Sequence, residues 1–126
     1  MREADFVHEA AEGHTARVVT MLENGMNVNA TDDHHRTALL KAAKHGHLAT
    51  VDILLSYGAD VNYRDNRGTS AMYWAVVNNH TDIVRRLMKA HADIHVIDDR
   101  GWTVLDHAKS SNHAKIIALL EQPALA

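Results

Sequence analysis

Between Leu48 and Tyr57 the apolar residues Leu48, Val51, Leu54 and Leu55 recur three and four apart, which puts them on one face of a helix. Just upstream, Ala38 to His45 is rich in alanine, leucine and lysine, a helix-favouring composition. Gly46 lies between these two segments and Gly58 follows the second, each where a residue of positive φ ends a helix. "ADVNYRDN", which begins at Ala59, breaks the helical period and reads as an extended segment and a turn. The predicted unit is therefore helix, turn, helix, loop.

That unit recurs. "GHTARVVTMLENGMNVN" from Gly13 and "GHLATVDILLSYGADVN" from Gly46 are offset by 33 residues, and the same offset relates His14, His47, His80 and His113. Stacked at that period without a gap, one apolar slot holds Phe6, Leu39, Met72 and Leu105. A second holds Val18, Val51, Val84 and Ile117, and a third Met21, Leu54, Leu87 and Leu120. An acidic slot holds Asp32, Asp65 and Asp98. The glycine slots point to backbone geometry as the common factor. Gly13 and Gly46 give way to Asn79 and Asn112, and Gly25 and Gly58 to His91. Asparagine and histidine are among the non-glycine types enriched at positive φ.

A 33-residue unit of two helices and a β-turn with a T-P-L-H-x-A signature is the ankyrin repeat. The chain resembles that family over essentially its whole length, most closely in "GHLATVDILLSYGADVN" and "RGWTVLDHA". The signature is degraded, reading "ADFVHEA", "TALLKAA", "SAMYWAV" and "TVLDHAK" in the four units, and its proline is absent from all of them. His35 stands where the next two units have Gly68 and Gly101. The resemblance implies an all-α solenoid of stacked helix-turn-helix repeats with short β-hairpin loops. It implies a single domain over residues 1–126, with units at about 1–31, 32–64, 65–97 and 98–121. The first and last units read as caps, because terminal repeats need polar outer faces. Glu9 replaces Ala42 and Ala75, Lys109 replaces Ala43 and Val76, and Glu121 replaces Leu55. On that pattern the chain is expected to be a complete small protein.

In the ankyrin family the partner surface is a concave face built from the first helices and the hairpin tips. Carried over slot by slot, it takes in Arg36, Lys41, Arg67, Tyr73, Trp74, Arg100, Trp102 and His107. Aromatics are only 5% of the chain, and both tryptophans fall in these slots. Aliphatic residues and methionine already fill the core slots, so the indoles are surplus to it. Tryptophan flanked by arginine is the composition of a binding hot spot. Two readings follow. Trp74, Trp102 and Tyr73 anchor a partner, with Arg36, Lys41, Arg67 and Arg100 around them. Alternatively, Trp74 packs sideways between repeats and Trp102 covers the last hairpin.

The histidine ladder reads as structure. Zinc draws its ligands in to about 2 Å, whereas stacked helices lie roughly 8–10 Å apart. Equivalent histidines cannot then share an ion. Each instead opens a second helix, where its imidazole can bond loop backbone. Eleven histidines also leave room for a metal- or pH-responsive role, with His34 and His35 as the nearest thing to a metal cluster. Asp106, His107 and Ser110 could be assembled on paper into a hydrolase trio, but neighbours on a helix point in different directions. "DNRG" and "DDRG" lack phosphate-loop spacing and read as turns. No catalytic residue, metal or other cofactor is expected.

Net charge is −3 and the basic residues are interleaved with aspartates, which disfavours a nucleic-acid partner. Cysteine is absent, which removes disulfides and thiolate chemistry. No apolar run reaches the roughly 18 residues of a membrane span, and the acidic start, without an apolar h-region, does not read as a secretory signal. The expectation is a cytoplasmic, monomeric or weakly self-associating module that binds another protein. It could serve as an adaptor or as an inhibitor, of the immunity-protein kind, that occludes an enzyme.

Overall fold

The computed structural model describes residues 2–122, and within them eight helices follow one another in pairs. The pairs are α1 (Glu3–Ala11) with α2 (Thr15–Glu23), α3 (Ala38–His45) with α4 (Leu48–Ser56), α5 (Ala71–Val77) with α6 (Thr81–Lys89), and α7 (Val104–Ser110) with α8 (Ala114–Leu120). The first helices stack in one row, α1 on α3 on α5 on α7, and the second helices in another, α2 on α4 on α6 on α8. The helical repeat solenoid implied by the 33-residue period is thus the observed fold. The loops stay less regular than hairpins: among the described residues one isolated antiparallel bridge forms, Thr31 to Thr37.

One apolar interior runs the length of the stack. Phe6, Leu39 and Met72 are buried, as are Val18, Val51 and Val84, and Met21, Leu54, Leu87 and Leu120. Full burial of such a side chain stabilises by about 1.5–3 kcal/mol. Ala42, Ala75 and Ala108 are completely buried in a slot whose small size lets the first helices approach closely. Leu105 and Ile117 occupy core slots but are only half-buried, since α7 and α8 have a neighbouring pair on one side alone. Lys109 and Glu121 meet at that end of the stack, Nζ to Oε2 at 3.7 Å. At the other end Glu9 bonds His14 and Arg17.

The buried face of α4 differs in part from its apolar pattern. Val51 and Leu54 are buried, Leu48 and Leu55 only partly, and Thr50 is wholly enclosed. Thr50 sits in the slot of Ile83 and Ile116 and is satisfied across the stack by the Thr15 hydroxyl at 2.8 Å. A buried hydroxyl with a partner of this kind avoids the desolvation penalty of an orphaned one.

The turn slots behave alike whatever residue fills them. Gly13, Gly46, Asn79 and Asn112 have φ of 72°, 81°, 60° and 57°. His35 has φ 60° beside 74° for Gly68 and 78° for Gly101, so the tip that lacks glycine keeps the same left-handed bend. Thr37, Ser70 and Thr103 cap the first helices through their side-chain oxygens, and Thr103 forms a full capping box with Asp106.

His14, His47, His80 and His113 each stand at the N-cap of a second helix without capping it through the side chain. The His80 Nε2–H donates to the Lys44 carbonyl at 3.1 Å, and the His113 Nε2–H to the Val77 carbonyl at 3.3 Å. Both bonds run back to the preceding repeat. His14, in the first described pair, bonds Glu9 of its own unit instead.

Candidate functional site

Three hairpin tips project beside the first-helix row, and each is closed by the aspartate of the acidic slot. Asp32 Oδ1 accepts the backbone N–H groups of His34 and Arg36. Asp65 does the same for Arg67 and Thr69, and Asp98 for Arg100 and Trp102. An aspartate that bonds amides two and four residues on is a local turn clamp. It holds the side chains at the tip in fixed relation to the helix that follows.

Between the first and second tips, those of Asp32 and Asp65, lies a groove of ≈ 370 Å³. Arg36, Lys44, Arg67 and Trp74 line it, with Asp33 and His34 on the near rim and Asp65 and Asn66 on the far one. Trp74 is half-buried. Its Nε1–H donates to Thr69 Oγ1 at 3.0 Å, which fixes the ring, and Lys44 Nζ stands 4.4 Å from the ring centroid. That is cation–π distance. A second groove, of ≈ 330 Å³, lies between α1 and the first tip and includes His8, Glu12, Arg36, Lys41 and His45.

Tyr73, beside Trp74 on α5, faces the next repeat, where His107 meets both it and Trp102. Tyr73 meets His107 edge-on with centroids 5.2 Å apart, and Trp102 meets His107 at 5.0 Å. Tyr73 also meets Trp74 edge-on at 5.1 Å, so four rings form a continuous file from α5 to α7. The guanidinium of Arg100 stands 5.9 Å over Trp102. His107 is not the outward-facing group its slot suggests. Its Nε2–H donates to Asp98 Oδ2 at 2.7 Å, and the two side chains are only 11% and 13% exposed.

The eight residues proposed for the partner surface therefore fall into two sets. Arg36, Arg67 and Trp74 line one groove, and Lys41 lines the next. Tyr73, Trp102, His107 and Arg100 make the ring file and its cover. Lys44 joins the first set by geometry. Asp98 joins the second as the partner of His107, nine positions away in the chain.

Electrostatics separates the two sets further. The His107 hydrogen bond, helped by the Trp102 and Arg100 backbone N–H groups, holds the Asp98 carboxyl down at about 2. Burial works against the charge of Asp32, but Arg36 and the tip amides outweigh it and keep that carboxyl below its ordinary value. Lys41 is lowered too, which for an amine disfavours the charged form; burial is the first cause, then Arg36 and Lys44. His45 is lowered by burial and by Lys41 and Lys44.

The trio Asp106, His107 and Ser110 does not converge. Asp106 is taken up by the capping box, His107 faces Asp98, and Ser110 is exposed. Among the described residues no group of three or more histidine or carboxylate side chains could hold a metal ion. No helix there is long and apolar enough to cross a membrane.

No curated protein matches the chain. A family model described as ankyrin repeats in many copies matches residues 7–51 and 39–85. Another, described as ankyrin repeats in three copies, matches residues 63–124. Such repeats are generally protein–protein interaction modules and typically non-catalytic. Paired helices in register, left-handed turns in every unit and these matches from residue 7 to residue 124 agree: the chain belongs to the ankyrin repeat family.

Proposed function

We propose that the chain docks a partner protein through its concave face and hairpin tips, with Trp74 as the central anchor. The supporting observation is the groove between the tips of Asp32 and Asp65. It combines a half-buried indole held by Thr69 with three cationic side chains, Arg36, Lys44 and Arg67. Aromatic and arginine side chains at the centre of a partly desolvated recess are where binding energy concentrates. Lys41 extends this surface toward the first unit. Trp102, Tyr73 and His107 extend it toward the last, with Arg100 at the outer edge. In this reading the ring file serves both of the roles open to the indoles. It stiffens the wall behind the anchor and offers the outer face of Trp102 to the partner.

Within this function the chain acts either as an adaptor or as an inhibitor that occludes a partner enzyme. Affinity capture from native lysate with the wild-type chain and with Trp74→Ala tests the anchor. The captured protein should be lost from the variant while its circular dichroism and unfolding remain cooperative. Equal capture by a folded Trp74→Ala chain refutes the anchor. An activity assay on the captured protein, with and without the chain, separates inhibitor from adaptor.

A further inference from the structure

The three tip aspartates share one clamp but not one set of partners. In each, Oδ1 accepts two backbone amides of its own tip. The carboxylate then has a second oxygen to satisfy. Asp32 Oδ2 accepts from Arg36, at 3.0 Å from both Nε and Nη2. Asp98 Oδ2 accepts from His107 Nε2 at 2.7 Å. Both donors are planar, and both belong to the same unit as the aspartate. Asp65 has neither. The slot of Arg36 holds Thr69 and the slot of His107 holds Trp74, and these two bond each other, Nε1–H to Oγ1 at 3.0 Å. Among the described residues no cationic side chain lies within ion-pair distance of Asp65. No buried side-chain oxygen there lacks a partner, so Oδ2 of the half-buried Asp65 is open to solvent. Asp65 lines the same groove as Trp74.

We propose that an arginine of the partner protein supplies the missing donor, its guanidinium bonding Asp65 Oδ2 beside the indole of Trp74. The inference rests on the docking function proposed above and names the side chain that enters the groove. Overall charge does not select it. Arg36 is taken up by Asp32, which leaves Lys44 and Arg67 against Asp33 and Asp65 on the groove wall. Hydrogen-bond geometry selects instead. The fork of N–H donors on arginine matches a carboxylate, and its flat face packs on an aromatic ring. The chain makes this same pair of contacts one repeat on, where His107 donates to Asp98 while meeting the rings of Tyr73 and Trp102. Lys44 Nζ, 4.4 Å from the Trp74 ring centroid, makes no ion pair among the described residues, so it yields to a guanidinium at the cost of one cation–π contact.

The test is selection from a random peptide display library on the full chain, with the bound peptides mapped by amide and indole chemical shifts. Peptides that map to the groove should share an arginine and should shift the Trp74 indole and the amides of Asn66, Arg67 and Gly68. Exchanging that arginine for citrulline, which keeps the shape and removes the charge, should weaken binding about tenfold or more. Asp65→Asn should do the same, since its side-chain oxygen still clamps the tip amides while the second oxygen becomes an N–H donor. Asp33→Asn, on the near rim, should weaken binding less than about threefold. Circular dichroism checks that both variants are folded, and if Asp65→Asn is not, the citrulline exchange decides alone. Groove peptides without a shared arginine, indifference to citrulline, or equal losses from Asp33→Asn and Asp65→Asn overturn the arginine and leave the docking surface standing. Peptides that map to α2, α4 and α6 overturn both. Selection of no peptide overturns the inference as well.

Discussion

Gly46 shows how closely the stack is fitted, and Gly46→Ala puts a number on it. The residue has φ 81°. A Cβ built there would stand 2.7 Å from Cε1 of His80 and 3.0 Å from its Nδ1. Two costs follow. Holding alanine in the left-handed region costs about 1–2 kcal/mol. The ring must also move, and its bond to the Lys44 carbonyl, 3.1 Å long, is lost or stretched. A bond of this type contributes about 1 kcal/mol net. The sum is about 2–3 kcal/mol, which for a chain of this size lowers Tm by roughly 8–12 °C. Urea unfolding followed by circular dichroism measures it, with an unchanged m-value as the check that the transition stays comparable. A double-mutant cycle with His80→Ala then separates the two costs. In the His80→Ala background the Gly46→Ala penalty should shrink by about 1 kcal/mol, to the backbone cost alone. Asn79→Gly, at the equivalent turn, should be neutral or slightly stabilising, because asparagine already occupies φ 60° there. A Gly46→Ala loss below about 0.5 kcal/mol, or a coupling to His80 within about 0.3 kcal/mol of zero, would refute the fitted-ring explanation.

Three further outcomes follow from the site. The folded Asp98 carboxyl titrates at about 2 rather than at its ordinary 3.8, so its contribution to stability is present above the ordinary value and lost as pH falls toward 2. Asp98→Asn should therefore flatten the acid limb of a Tm-against-pH curve between those values, and an unaltered limb contradicts the Asp98–His107 bond. His45 is lowered below 6.5, so its protonation opposes folding and the opposition appears as pH falls through that value. His45→Gln should narrow the Tm difference between neutral and mildly acidic buffer, whereas a wider difference refutes the lowering assigned to burial together with Lys41 and Lys44. Arg86 pairs with Asp52 across α4 and α6 at 2.8 Å, but both side chains are substantially exposed. Arg86→Ala should cost no more than about 1 kcal/mol by chemical denaturation, and a larger loss would show that the second-helix row depends on that pair.

Much of the scaffold was legible because repetition averages out local ambiguity. A single stretch such as Ala38–His45 could be any helix. Four copies in register identify which positions must face inward, and the helix found there has those bounds. The left-handed turns were legible at Asn79, Asn112 and His91 for the same reason: the slot, not the residue, carried the signal. The polar interior was harder to read. Thr50 broke an apolar slot, and only the neighbouring repeat's Thr15 explains why a hydroxyl is tolerated there. The role of the acidic slot as turn clamp follows from amide positions that a side-chain pattern does not contain. The slots placed His107 and both tryptophans beside the first-helix face. They could not show that His107 turns back to Asp98, or that Tyr73 joins the two indoles into one file. Those are rotamer choices, settled by contacts between repeats.

The most direct test of the docking surface works whatever the partner's identity. A photo-crosslinking residue placed at Arg67, at the tip closed by Asp65, is compared with one placed at Arg85, on α6 in the second-helix row. In native lysate the chain labelled at position 67 should give a discrete protein adduct that disappears when Trp74→Ala is added, and the chain labelled at position 85 should give none. An adduct at position 85 without one at 67, or an adduct at 67 indifferent to Trp74→Ala, would contradict docking through the first-helix face.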